Sequence, residues 1–232
     1  MKIEEKIFLK YRFDKAKLIK FGFNESDGKY SYSFDFMDGQ FSGYLTIDSD
    51  HKIYGKVIEK EFGEEYIPLN IETFKGDFVN QVRKEYENEL IKIRDACFSK
   101  VIFVSNQANR IARLVYEKYG EEPDFPFEDD DNCGVFRYTP TRKWYAIVMN
   151  VKKSAVTKNG EKEKVDAMNV KIVPETRDKL LERDGMYICY HMSHEKWITM
   201  LLDETLCDDE IMNMIETSRE LIIGKKTKKN VN

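Results

Sequence analysis

The sequence predicts an α+β fold in two domains, and three observations carry that expectation. Aromatic side chains alternate with small polar ones from Tyr30 to Phe36, the period of a half-buried strand. From Asp77 to Phe98 the apolar period lengthens to three or four residues, as an amphipathic helix requires. Beyond Cys133 short strand-like runs return and close on a second helical stretch at 208–224. A 232-residue chain with 41% hydrophobic and 13% aromatic residues can bury the cores this needs.

The elements follow in order. FDKAKLIKFGF (13–23) reads as a brief helix with Leu18, Ile19 and Phe21 inward and Gly22 as its left-handed stop. A meander comes next: Tyr30, Tyr32, Phe34 and Phe36 share one strand face, Asp38-Gly39 turns a hairpin, and Phe41 to Ile47 is the partner. A turn at Asp48–His51 leads to a strand with Ile53, Gly55 and Val57 on one face, so residues 1–76 form a small α+β domain. The helix at 77–98, with Phe78, Val82, Tyr86, Leu90, Ile93 and Cys97 on one side, is expected to link this domain to residues 99–224. There Ser105 caps a helix carrying Ala108, Ile111, Leu114 and Val115, which Gly120 ends. EEPDFPFEDDDN is an acidic loop broken by two prolines. CGVFRYTPTRKWYAIVMNV is a hairpin turning at Thr139–Thr141, and KKSAVTKNGEKEK is a protruding turn centred on Asn159-Gly160 before a strand at 166–173. Pro174 opens a short helix, MYICYHM and WITMLLD are strands, and Asp208 caps a last helix with Ile211, Met214, Ile215, Ser218 and Ile222 inward. The Trp197 strand is expected beside the Trp144 strand, and 225–232 is a basic tail.

Charge narrows the partners. The net charge of −4 argues against general adhesion to nucleic acid, yet residues 133–172 hold 9 Lys+Arg against 3 Asp+Glu. One basic segment lies within an acidic protein. Four widely spaced cysteines without a CxxC pair read as reduced, mostly buried thiols. Without a signal-like apolar run or a membrane span, the expected location is cytoplasmic, with no membrane partner.

QANR (107–110), KYGEEPDFPFE (118–128), VFR (135–137), KWYAIVM (143–149), YHM with Trp197, and LLD (201–203) together resemble the MmcQ/YjbR family. FGF (21–23), EEY (64–66) and the 82–98 helix resemble the extra N-terminal domain of its longer, bacterial-type members. For 99–224 the resemblance implies a frataxin-like (CyaY-like) α/β sandwich, an antiparallel sheet with helices packed on one face, also described as a double-wing DNA-binding motif. It brings no catalytic residue set and no cofactor. Where the family pattern has His directly before the Trp, this chain has Lys196, with its second histidine at His194.

Several residue groups invite chemistry. Cys189, His191 and His194 form a C-x-H-x-x-H that lacks a nameable fourth zinc ligand, so YHMSHEKW reads as a structural joint. In it Ser193 turns the chain, His191 anchors a strand end by hydrogen bonding, and Trp197 begins a buried strand, with Tyr190 part of the same motif. The seven carboxylates of 121–131 lack calcium-loop spacing and read as a solvated loop. No GxSxG, HExxH, P-loop or GxGxxG is present, which points away from an enzyme and from any bound cofactor. Trp144, Tyr145 and Trp197 read as core in preference to base-stacking platforms. Arg137, Arg142, Lys143, Lys152, Lys153, Lys158, Lys162 and Lys164 fall on a hairpin and the adjoining turn, expected as two neighbouring projections suited to phosphates. The reading is a binding protein that contacts DNA weakly through about 135–164; the alternative is a protein-interaction or small-ligand module.

Overall fold

The alternating aromatics of the first half do pair as strands in the computed structural model, which describes residues 2–48, 52–128 and 130–224. Met1–Val101 and Ile102–Asn232 form two compact units. The first begins with α1 (Ile3–Phe8), β1 (Tyr11–Phe13) and α2 (Lys15–Phe21). Asp14 caps α2 by accepting the Lys17 N–H, and Gly22 ends it at a φ of 118°, where a Cβ would be strained. An antiparallel sheet then runs in chain order through β2 (Asn24–Ser26), β3 (Lys29–Phe36), β4 (Phe41–Ile47), β5 (Ile53–Glu59) and β6 (Glu64–Glu65). Tyr30, Phe36, Phe41, Leu45, Ile47 and Val57 are buried on it.

The long amphipathic stretch is α3 (Asp77–Cys97), followed by β7 (Phe98–Lys100), which pairs with β1. Val82, Tyr86, Leu90, Ile93 and Cys97 of α3 enter the same core as Phe36, Phe41 and Leu45. The helix is therefore part of the first unit's core, where the sequence reading set it between two domains. Apolar burial decides this: its stripe covers the β3–β5 sheet. Two side chains expected inward are about half exposed, Ile19 at 48% and Phe78 at 48%. Leu18 takes the buried position of α2, and one residue further turns the side chain about 100° away. Phe78 sits a full turn ahead of Val82 and only borders Phe41. Residues 49–51, within the expected second turn, and the 225–232 tail lie outside the described residues.

The second unit contains α4 (Asn106–Tyr119), β8 (Gly134–Tyr138), β9 (Lys143–Lys152), α5 (Lys153–Thr157), β10 (Lys164–Lys171), α6 (Arg177–Leu181), β11 (Met186–Ile188), β12 (Trp197–Leu201) and α7 (Asp208–Ile223). Its five strands form an antiparallel sheet in the order β11-β12-β10-β9-β8. β10 thus separates the Trp197 strand from the Trp144 strand, which the sequence reading placed side by side. The pairing explains the correction, because β10 returns through α5 to lie antiparallel against β9 and fills that place. Ile111 and Val115 of α4 and Ile211 and Ile215 of α7 pack with Phe136, Val148, Met168, Val170 and Met200 on one face. Val135, Ile147 and Met149 line the other face, where Val156 of α5 covers Ala167 and Leu201.

One irregularity positions a functional-looking side chain. Phe136 pairs with Ala146 but Arg137 pairs with Trp144, so Tyr145 is the extra residue of a β-bulge. The bulge turns both Tyr145 and Ala146 to the helix face. There the Tyr145 hydroxyl donates to Glu121 Oε2 at 2.9 Å.

Candidate functional site

The basic residues separate into two groups. β9 runs for ten residues from Lys143 to Lys152, so its two ends lie roughly 30 Å apart at strand rise. Arg137, Arg142 and Lys143 are at the β8–β9 turn, while Lys152, Lys153, Lys158, Lys162 and Lys164 surround the β9–β10 connection. The expectation of neighbouring projections is corrected by strand length alone. At the first end Asp124 binds both arginines, with Arg137 Nε at 2.8 Å and an Arg142 terminal nitrogen at 2.7 Å. Arg137 also lies over the Trp144 ring, 5.0 Å from its centroid. Asp124 belongs to the loop that reads as solvated, and its single carboxylate is shared by the two residues best suited to reading bases.

The β9–β10 end is built differently. α5 replaces the expected bare turn, closed by Lys158 in a left-handed conformation whose amide donates to Ser154. Lys153 is its clasp: the amide donates to the Glu163 carbonyl at 2.8 Å, and Nζ meets Glu161 at 3.2 Å, Asp203 at 3.6 Å and Glu163 at 3.7 Å. Those carboxylates, the hydrogen-bonded Glu161 first, raise the Lys153 pKa. Both glutamates of the connection are thereby turned onto Lys153. Lys152, Lys158, Lys162 and Lys164 are exposed, and none has a carboxylate partner among the described ion pairs. Lys152 and Lys164 occupy directly opposed positions of the β9–β10 ladder. Like charges so placed repel, at a cost that an anion between them would relieve.

The YHMSHEKW joint lies at the edge of this region. β11 ends at Ile188, short of the strand expected through Met192, because side chains replace the backbone ladder beyond it. Tyr190 N–H donates to Thr199 Oγ1 at 2.9 Å, Thr199 Oγ1 donates to Asn169 Oδ1 at 2.6 Å, and Asn169 Nδ2 donates to the Tyr190 carbonyl at 2.7 Å. The anchor is therefore Tyr190, where the sequence reading chose His191. His191 is exposed, adopts a φ of 60°, and sets its ring, tilted by 57°, 3.9 Å from that of Tyr190. Ser193 does turn the chain, its carbonyl accepting the Trp197 amide at 3.0 Å. The Cys189 thiol is 2% exposed, and burial pushes its pKa up to about 11, which makes it a poor metal ligand. Among the described residues no three His, Cys, Asp or Glu side chains gather as a metal-ligand set. The left-handed backbone makes a prediction: His191→Val destabilises the second unit by about 1–2 kcal/mol while His191→Gly is close to neutral in urea unfolding.

Trp144 is half-buried against Phe127 and Arg137, Tyr145 is fully buried, and Trp197 is 7% exposed under Lys171. None presents a free stacking face. Sequence reasoning missed the buried polar groups that tie the helices to the sheet. Glu121 is 4% exposed. It accepts from Tyr145, from the Thr139 amide at 3.0 Å, and from Arg219 of α7 at 3.0 Å. Burial raises its pKa most, but Arg219, the Thr139 amide and Tyr145 together outweigh this and hold it below the usual glutamate value. At the other end of α7, Asp208 receives Arg110 at 2.8 Å and Gln107 at 3.0 Å.

The second unit also has recognisable relatives. A model of the YjbR family matches residues 116–221. The Uncharacterized protein YyaQ of Bacillus subtilis is 39% identical over 111 residues, which are 48% of this chain and 93% of that protein. The chain belongs to the YjbR family. QANR, whose Gln107 and Arg110 hold Asp208, lies wholly before the family span, whereas the Tyr145 bulge and the Tyr190 joint fall inside it. A crystal structure of a Pseudomonas syringae protein is 35% identical, with a TM-score of 0.47, covering 50% of this chain and 97% of that one. That of Deinococcus radiodurans protein DR2400 is 21% identical, with a TM-score of 0.37, covering 50% and 79%. Residues 1–115 lie outside the family span. Among the described residues no helix is long and apolar enough to cross a membrane.

Proposed function

We propose that this YjbR-family chain is a binding protein that grips the phosphates of DNA, weakly and with little regard to sequence, through the β9–β10 connection. One observation carries the reading: Lys152, Lys158, Lys162 and Lys164 crowd a single projection whose own glutamates are committed to Lys153. Arg137 and Arg142, bound to Asp124, drop out of the contact set, and Lys143 belongs to their end of the sheet. A lysine is a point charge, so the surface suits phosphate and reads no base edge. Four phosphate contacts imply affinity falling about a hundredfold between roughly 50 and 200 mM salt.

The test is fluorescence anisotropy with a labelled duplex at low salt. Lys152→Gln/Lys158→Gln/Lys162→Gln/Lys164→Gln should weaken binding by about a hundredfold. Neutralising Lys15, Lys20, Lys29 and Lys75 in the first unit removes equal charge and should cost only a few-fold. Equal losses in the two variants, or no loss in the first, would reject the projection as the contact surface and favour the protein-interaction alternative.

A further inference from the structure

A groove of about 500 Å³ lies between α5 and the β11 edge. One wall is Ala155, Val156, Thr157 and Lys158; the other runs from Tyr187 and Ile188 through Cys189 and Tyr190 to His191 and His194. Its size falls within the range of small-molecule sites, and its surface is mostly apolar with a few polar groups shared between the two walls. Ile188 is 53% exposed here, a large aliphatic side chain held in water on a strand edge.

Three features define what it would take. Lys158 brings the positive charge, two imidazoles add N–H groups, and among the described residues no aspartate or glutamate lines the groove. Lys158 spends one Nζ hydrogen on the Ala155 carbonyl at 2.7 Å, which fixes the ammonium at the rim with further donors to offer. The opposite wall is preorganised, because the Asn169–Thr199–Tyr190 network and the buried Cys189 thiol set the Tyr190 backbone before any ligand arrives. We propose that this groove binds a small amphiphilic monoanion, a flat aromatic or short-chain carboxylate. Its apolar body lies on Val156, Ile188 and Tyr190, and its carboxylate meets Lys158 and the imidazole edge. This goes beyond the DNA reading and stands without it, sharing only Lys158.

Three probes with one apolar body and different heads test it: phenylbutyrate, phenylbutanol and phenylbutylamine, titrated into the full chain and followed by amide NMR. The expected result is saturable shifts at 155–158 and 187–194 with phenylbutyrate, the alcohol binding about threefold and the amine about tenfold more weakly. Ile188→Asp, at an exposed position of the edge strand, should weaken phenylbutyrate at least about tenfold while the amide spectrum outside 155–158 and 187–194 stays that of the folded chain. Lys158→Ala should close the gap between acid and alcohol while sparing the alcohol. Equal binding of the three probes, shifts confined to other regions, an unaffected Ile188→Asp, or no saturable shift at about 10 mM would each overturn the proposal.

Discussion

Glu121→Leu is expected to destabilise the second unit by about 3–5 kcal/mol, because it strips the partner from a largely buried Arg219 and leaves the Tyr145 hydroxyl and Thr139 amide unsatisfied. Both tryptophans, Trp144 and Trp197, lie in this unit, so intrinsic fluorescence in urea reads the loss directly. The pH dependence has a definite sign. Glu121 titrates lower when folded than when unfolded, so its contribution is present above the unfolded carboxylate value and disappears as pH falls through the folded one. The gap between wild type and variant should therefore narrow on acidification below the usual glutamate range. A gap that widens there would contradict the buried ion pair.

Gly55→Ala should cost the first unit about 2–3 kcal/mol. A Cβ built at Gly55 falls 2.1 Å from Tyr86 Oη and 2.9 Å from the Glu4 carboxyl carbon. Neither neighbour can yield easily: Tyr86 is fully buried, Glu4 is 1% exposed, and Glu4 accepts the Gly55 amide at 3.0 Å. Tyr86 Oη is buried and has no hydrogen-bond partner among the described residues, so Tyr86→Phe alone should be neutral or mildly stabilising. The double variant Gly55→Ala/Tyr86→Phe should recover most of the loss. Amide hydrogen exchange of β5 and α3 measures all three; a double variant no better than Gly55→Ala would place the strain elsewhere.

Much of this architecture is legible in the chain because local signals carry it. Asp38-Gly39 forces a hairpin wherever two alternating runs flank it, and the α3 stripe is long enough for its period to be read. Other features depend on distant partners. KSAVT is too short to show a helical period, and α5 forms where Lys153 is clasped by residues ten and fifty positions away. Glu121 sits in a run of carboxylates that looks solvated, and its partner Arg219 is 98 positions downstream. The alternation through KWYAIVM gives no hint of a bulge, so the inward turn of Tyr145 appears only with the β8 register. The separation of the basic groups was open to arithmetic, since the length of β9 alone parts Lys143 from Lys152. What pattern could not supply was the carboxylate on each cation, and that decides which cations remain for a ligand.

Amide NMR of the full chain titrated with a short duplex at low salt tests the central claim most directly, because it reports where DNA sits as well as whether it binds. The account predicts saturable shifts concentrated from Lys152 to Lys164, little change from Arg137 to Lys143 where Asp124 holds the arginines, and reversal of the shifts as salt is raised. Shifts centred on the β8–β9 turn, or none at a duplex concentration of about 1 mM, would contradict it.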